Sequence, residues 1–585
     1  VLNQVVTLPD TRQSRQTRSG SSRLWIAAFL LLIPIGMFWY VWGVYAANVP
    51  KWDDHVLRFF LFALDEESSF SGKIYQFVKQ HNEHRIVYDR LITWLDYHIT
   101  GKLNFVHLMF IGNLSLIGLL AVFGRVLSQS GGVPDSTFTS RTVVNWRVGL
   151  IYLPPVAFLL LNLSHWENMF WGMAALQNFT VMLWVFLAIY VLAYTQKTGL
   201  ALVLAVAATL TSGNGLLVWP VGFGMLLLQT GFARKKEYRV ILQWVAGAAL
   251  AFVGYFWGYQ KPPGNPPLQS SFFQFIKGWL AFNGSAAEAV PVGPVVGLCV
   301  LLGGICLLLV LAISLGLLRN FLSRKPLSPL DFFFLGTVAF LIGTSAVVAW
   351  TRTGFGFNTL ITSRYKLYSL LLMAVLYTYL ASRAGASVKK WVLTGGLLVG
   401  SVLMAGSYIT YLADTIWWRQ WMLTNQFNWS HSINGPAVSR DSISERYTSL
   451  APSFFNSVLP AIYGPARQPP IAVQITKTAE EYEILNTSAP PQELVNAGNF
   501  VVARSVKRTY LFPVRQNRGS LRAAIFDSEK LFAAGFRATI SPAELETGVY
   551  QVLVLNVSAG RASLYPTNQT IQSAGAAGTT TKTNW

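Results

Sequence analysis

Two short polar clusters, Trp52-Asp53-Asp54-His55 and Asn82-Glu83-His84-Arg85, stand close together in a chain otherwise rich in apolar residues. Adjacent carboxylates repel, which favours one of them as a proton acceptor or as a ligand for a divalent cation. General-base chemistry needs such a carboxylate within hydrogen-bond reach of a hydroxyl. The second cluster adds another acid, an imidazole and a guanidinium. Further along come His165 and Glu167, then Arg352, Arg364 and Lys366. A guanidinium grips phosphate oxygens in pairs and an ammonium adds a point charge, so these cations with Arg85 form a candidate anion clamp. Asp53, Asp54 and Glu83 are therefore the catalytic candidates. His55, His84, Arg85, His165, Glu167, Arg352, Arg364 and Lys366 are the substrate-binding ones. The His-x-Glu of 165–167 has no fourth ligand at a recognisable spacing, so no metal centre is expected from it.

The elements that must position these residues are membrane helices. Mean hydropathy is +0.41, 52% of residues are hydrophobic and 12% are charged, about half the charge of an ordinary soluble domain. Apolar runs long enough to cross about 30 Å of hydrocarbon recur through the first 413 positions. They lie at roughly 24–45, 103–124, 147–163, 172–194, 198–212, 214–230, 239–258, 293–318, 330–350, 367–383 and 391–412, or about eleven spans. Ser212-Gly213-Asn214-Gly215 reads either as a tight external turn or as a break within the membrane. Basic clusters fall on one side of this layout: Arg12, Arg15, Arg18 and Arg23; Arg125, Arg141 and Arg147; Arg234, Lys235 and Lys236; Arg319, Arg324 and Lys325; Arg383, Lys389 and Lys390. The positive-inside rule makes that side cytoplasmic, with the N-terminus in and the C-terminus out. The net charge of +20 then reflects topology and attraction to anionic lipid, and no nucleic-acid partner is expected. The first apolar run is too long for a cleaved signal and is expected to stay as an anchor. Cys299 and Cys306 read as packing residues of one helix.

Four segments result: a basic tail at 1–23, a transmembrane domain at 24–413 with a long outer loop at 46–102, a mainly-β extracytoplasmic domain at 414–572, and a flexible tail at 573–585. The outer loop carries helix-prone amphipathic stretches suited to the interface. Beyond residue 430, runs such as Ile471–Ile475, Ala523–Phe526 and Tyr550–Val557 alternate between Gly, Pro and Asn signals, which argues for strands of a small sandwich. The polar, chemically varied residues all gather on the outer face. A run of Arg504, Lys507, Arg508, Arg515, Arg518 and Arg522 reads as a solvated face or as a surface for acidic glycans or headgroups.

No Gly-Lys-Ser/Thr phosphate loop and no Gly-x-Ser-x-Gly elbow stands out, so any energy source must arrive with the substrate. An N-terminal span, a long outer loop opening with an Asp pair, a second acid about thirty positions on, and later outer-loop arginines resemble the GT-C superfamily of integral-membrane glycosyltransferases. That superfamily includes the protein mannosyltransferase and aminoarabinose transferase types. The resemblance covers roughly residues 24–370 in layout and only these short motifs in residue identity. It implies a polyprenyl-phosphate sugar donor and a glycan, lipid or protein acceptor. It also implies Asp53 or Asp54 as general base, Glu83 as assisting acid, and Arg352 and Arg364 at the lipid phosphate.

Two other classes stay open. An ion-coupled transporter would place charge within its spans, which here are nearly free of Asp, Glu, Lys and Arg, and a lipid flippase is less affected by that argument. A non-catalytic subunit of a membrane assembly, docked to a membrane-protein partner, would show the same hydropathy. The expected location is the bacterial cytoplasmic membrane.

Overall fold

The computed structural model describes residues 11–129, 144–195, 197–230, 238–262, 268–269, 271–290, 292–438, 446–491, 493–520 and 531–575. Seven helices among them are long and apolar enough to cross a membrane: Ser22–Tyr45, Phe105–Ser128, Gly172–Tyr194, Tyr238–Phe256, Val295–Leu322, Pro329–Phe355 and Ala386–Ser430. An eighth arises if Trp146–Tyr152 and Pro154–Met169, bent by 50°, count as one broken span. Pro154 and Pro155, neither with an N–H to donate, sit at that break.

The remaining three apolar runs form helices that fall short of this test. Thr198–Thr211 and Val218–Thr230 have 14 and 13 residues, a reach of about 20 Å each. Lys366–Arg383 has 18 residues, but its two charged ends and Tyr368, Tyr377 and Tyr379 lower its hydropathy. The Ser212–Gly215 turn lies against the first outer loop, because the Gly213 N–H donates to His84 Nδ1 at 3.3 Å. Of the basic clusters, Arg141 and Arg234–Lys236 lie outside the described residues.

Between the first two of these helices, three more, Asp54–Glu66, Phe70–Val78 and Val87–Thr100, fill the long connecting loop. Phe59, Phe70, Ile74, Tyr75 and Ile99 are left exposed on them. An apolar face of this kind is what an interface-lying helix presents to lipid.

The last helix, Ala386–Ser430, has 45 residues, roughly twice what a bilayer core requires. Its C-terminal half therefore continues as a stalk into the C-terminal domain. There β1 (Gln474–Lys477), β2 (Tyr482–Asn486), β3 (Gly498–Arg504), β4 (Thr509–Pro513), β5 (Arg515–Arg518), β6 (Phe532–Ile540), β7 (Gly548–Ser558) and β8 (Arg561–Ser573) form two antiparallel sheets, ordered β1-β2-β6-β5 and β4-β3-β7-β8. Ile484, Ala538 and Ile540 of the first sheet meet Val501, Phe512, Val552 and Val554 of the second in one core. The other face of the second sheet, with Phe500, Val502, Leu511 and Leu553, joins the core of the helical part. β3 is thus buried on both faces, which explains its nearly continuous apolar run Phe500–Ala503. The run Ala523–Phe526 lies outside the described residues, and the segment expected from Ser573 onward as a tail begins with the last residue of β8.

The basic run of the C-terminal domain works as a fastener. Arg515 and Arg518 both pair with Asp414 of the stalk, at 2.7 and 3.0 Å, and the Arg515 guanidinium covers the Trp417 ring. Arg508 donates to the Asn428 carbonyl and pairs with Glu546. Asn428 itself donates to the Leu511 carbonyl and accepts from the Leu511 N–H, so its side chain extends the open edge of β4. Arg522 lies outside the described residues.

Candidate functional site

The site begins with a tight turn directly after the first span. The Asp54 N–H donates to the Lys51 carbonyl at 2.8 Å, closing Lys51-Trp52-Asp53-Asp54. Trp52 occupies it with φ +43°, a left-handed backbone that costs a large L-residue about 1–3 kcal/mol. The turn sends its two carboxylates in opposite directions. Asp54 goes inward and is fully buried. It accepts from the Met173 N–H at 2.7 Å and the Lys51 N–H at 3.1 Å, tying the first outer loop to the start of the third span. Burial pushes its carboxyl up to about 7, against the pull of those backbone N–H groups. Asp54 is a tether, closed to substrate. Asp53 goes outward, with its side chain 40% exposed.

Asp53 faces the second cluster. His81 and His84 exchange backbone hydrogen bonds, both 2.9 Å, around a tight turn with Asn82 at φ +47°. His81 Nε2 lies 3.4 Å from Asp53 Oδ1. Burial alone would raise the Asp53 carboxyl. The hydrogen bond and charge of His81, the Arg364 charge and a hydrogen bond from Asn82 outweigh it and hold the group below its ordinary value. At the tip of the same turn, Glu83 is ion-paired with Arg352 at the end of the Pro329–Phe355 helix.

The turn is braced from the fourth of the seven spans. Arg85 donates to the carbonyls of Val78, Tyr255 and Trp257, and Tyr255 Oη donates to the Glu83 carbonyl. His84 is enclosed, its imidazole held below its ordinary value chiefly by burial. A Cβ at Gly213 would sit 2.6 Å from Tyr255 Oη and 3.0 Å from His84 Nδ1, so only glycine fits there. Arg85 and His84, expected to touch substrate, hold the turn in place.

The segments around Glu167 and Arg364 are zipped together. The Glu167 N–H donates to Ser363 Oγ, and Asn168 Nδ2 donates to the Arg364 carbonyl. Glu167 Oε2 is 3.8 Å from Arg364 Nε, and the guanidinium lies 5.8 Å from the Trp171 ring. With 39% of its side chain exposed and, among the described residues, a long ionic contact to Glu167 alone, Arg364 is the candidate cation best placed for an added anion. Lys366, by contrast, is buried, ion-paired with Glu288, and donates to Tyr411 Oη at 2.8 Å. His165 is fully buried beside Phe38 and Phe179, away from solvent. His55 contacts Arg58 and packs edge-on against Trp429.

Direct contacts pair Asp53 with His81, Glu83 with Arg352 and Glu167 with Arg364, and the Arg364 charge acts on Asp53. Asp54, His84, Arg85 and Lys366 are engaged with protein groups instead. Among the described residues no group of three or more His, Cys, Asp or Glu side chains is placed to hold a metal ion. Family models, curated proteins and solved structures offer no match to this chain.

Several residues here carry no sequence signal of their own. His81 borders the Asn-Glu-His-Arg cluster, yet its Nε2 reaches back to Asp53 Oδ1 at 3.4 Å as well as to Asn82 Nδ2 at 3.2 Å. Lys51 is buried among the rings of Trp52, Trp418 and Trp421, and burial holds its amine down to about 6 despite Glu544, Glu167 and Asp54 nearby. Glu544 belongs to the C-terminal domain, and burial pushes its carboxyl up to about 7 while Lys51 opposes the shift. A hint lies in Trp417, Trp418 and Trp421, whose spacing puts 417 with 421 and 418 with 421 on neighbouring faces of the stalk.

Proposed function

We propose that this chain is a membrane glycosyltransferase of the GT-C type. It would move a sugar from a polyprenyl-phosphate donor to a hydroxyl-bearing acceptor at the outer face of a bacterial cytoplasmic membrane. The topology that goes with this reading is N-terminus in, C-terminal β domain out, with the shorter apolar helices completing the eleven-pass layout. The observation that carries the proposal is an exposed Asp53 carboxylate, held by His81 and influenced by Arg364, on a loop directly after a membrane span.

In this reading Asp53 takes the proton of the acceptor hydroxyl as its oxygen bonds to the anomeric carbon. The bond from that carbon to the phosphate oxygen breaks, and the lipid phosphate leaves with the electron pair. Arg364 offers the leaving phosphate a planar pair of N–H donors. Glu83 and Arg352, already paired with each other, set the position of the His81 turn. The acceptor class, whether glycan, lipid or protein, follows from none of these groups.

The test is transfer from radiolabelled polyprenyl-phosphate sugars by the protein in lipid nanodiscs. Label should move to endogenous acceptor added as a membrane extract. Asp53→Asn should lower the rate by about a hundredfold or more. Equal rates for wild type and Asp53→Asn, or no transfer with any polyprenyl-phosphate sugar, would reject the proposal.

A further inference from the structure

Trp52 is out of place on ordinary grounds. A tryptophan at φ +43° is strained, and strain of this kind persists where the surroundings over-determine it. The surroundings here do. Trp171, Trp418 and Trp421 meet the Trp52 ring edge-on at 5.2, 5.9 and 6.1 Å between centroids. Lys51 Nζ lies 3.7 Å from the centroid and covers one face. Trp418 is fixed in turn by Trp166 at 5.2 Å and by its indole N–H, which donates to the Phe170 carbonyl. Three indoles and an ammonium thus surround the ring. It nevertheless remains 42% exposed, beside the Asp53 carboxylate.

We propose that the open side of Trp52 is a stacking platform for a pyranose ring, with Asp53 facing a hydroxyl of the stacked sugar. A pyranose has a C–H-lined face that suits an indole and equatorial hydroxyls that suit an adjacent carboxylate. An immobilised tryptophan offers that surface with little further loss of side-chain freedom. Four elements hold it: the turn after the first span, the Trp166–Met169 segment, Trp171, and the stalk. The stalk also carries the C-terminal domain, so docking of that domain and the posture of the platform depend on one helix. This inference rests on the reading of the Asp53 site as a sugar-transfer site and adds to it the residue that orients the sugar.

The experiment is saturation-transfer-difference NMR on the full chain in nanodiscs, with methyl pyranosides of mannose, glucose and galactose as probes and sorbitol as the acyclic control. At least one pyranoside should receive saturation on the C–H protons of a single ring face, and sorbitol should not. Trp52→Ala should reduce the signal about fivefold or more, and Trp52→Phe should retain part of it. Equal signals from wild type and Trp52→Ala overturn the proposal, as does absence of signal from every pyranoside. If both variants lose the signal, the thermal midpoint decides. A wild-type midpoint in Trp52→Phe overturns the stacking geometry, because an intact phenyl face should still bind. With a lowered midpoint the measurement is repeated well below that midpoint, where continued loss of the signal in Trp52→Phe overturns the stacking geometry. The transfer assay is separate. Transfer with an unchanged KM in Trp52→Ala would sink the platform alone. Pyranoside binding that needs Trp52, without transfer, would sink the transferase reading alone.

Discussion

His81 Nε2 lies 3.4 Å from Asp53 Oδ1, so a turn in the middle of the outer loop holds the carboxylate that opens it. The contact keeps Asp53 ionised and aimed. His81→Ala should therefore lower transfer by about ten- to a hundredfold, and His81→Gln, which can still donate to the carboxylate, should recover part of the loss. Initial rates on the same donor measure both. A wild-type rate for His81→Ala would remove His81 from the site.

Asp54 contributes to folding through two buried backbone contacts, to Met173 and Lys51. Asp54→Ala leaves both N–H groups without a partner and should cost about 2–4 kcal/mol, read as a lowered thermal midpoint in nanodiscs. The same treatment of Asp53→Ala should cost far less, because its side chain is 40% exposed.

The two carboxylates should also oppose each other in pH. Asp54 titrates at about 7 in the folded protein, above its unfolded value of about 3.9. Its contribution is complete below about pH 4 and is lost as pH rises through about 7. Asp53 is depressed, so its contribution is present above its unfolded value and is lost as pH falls through the folded one. Stability should therefore fall between about pH 4 and pH 7 in the wild type through this group, and Asp54→Asn should flatten the profile over that window. An unchanged profile in that variant would contradict the burial of Asp54.

Glu83 and Arg352 join the outer loop to the Pro329–Phe355 helix across a partly buried pair. Each single neutralisation, Glu83→Gln or Arg352→Gln, should destabilise by about 1–2 kcal/mol. The double variant should cost less than the sum of the two, a coupling that a double-mutant cycle reads directly.

Asn428 lies at the end of the stalk and is almost fully buried, although its sequence is an Asn-x-Ser triplet. Its side chain makes two reciprocal hydrogen bonds with Leu511. Asn428→Ala should loosen the C-terminal domain by about 2–3 kcal/mol, seen as faster limited proteolysis between the stalk and β1.

The membrane class, the outer loop and the change to strands after residue 430 could all be read in the sequence, because hydropathy and period-two alternation report burial directly. Of the eleven apolar runs, seven correspond among the described residues to helices long and apolar enough to cross, and one to a bent pair. Apolar runs such as 198–212 satisfy composition, yet the helix they form is only 14 residues long. Asp53 and Asp54 are identical neighbours, and only the turn geometry at Trp52 makes one a tether and leaves the other open. Arg85, Arg364 and Lys366 read alike as free cations. Three backbone carbonyls occupy the first and Glu288 the third, contacts that lie far apart in sequence. The basic run at 504–518 reads in sequence as a solvated face or a surface for acidic ligands, whereas Asp414 takes two of its arginines.

The central claim is that Asp53 and Arg364 face one lipid-phosphate sugar. The most direct measurement is a cryo-EM structure of the full chain in nanodiscs with undecaprenyl phosphate. The account expects phosphate density within hydrogen-bond reach of Arg364 and on the same side as the Asp53 carboxylate, and its loss in Arg364→Ala. Lipid phosphate bound elsewhere, with the space between Asp53 and Arg364 filled by protein side chains, would contradict it.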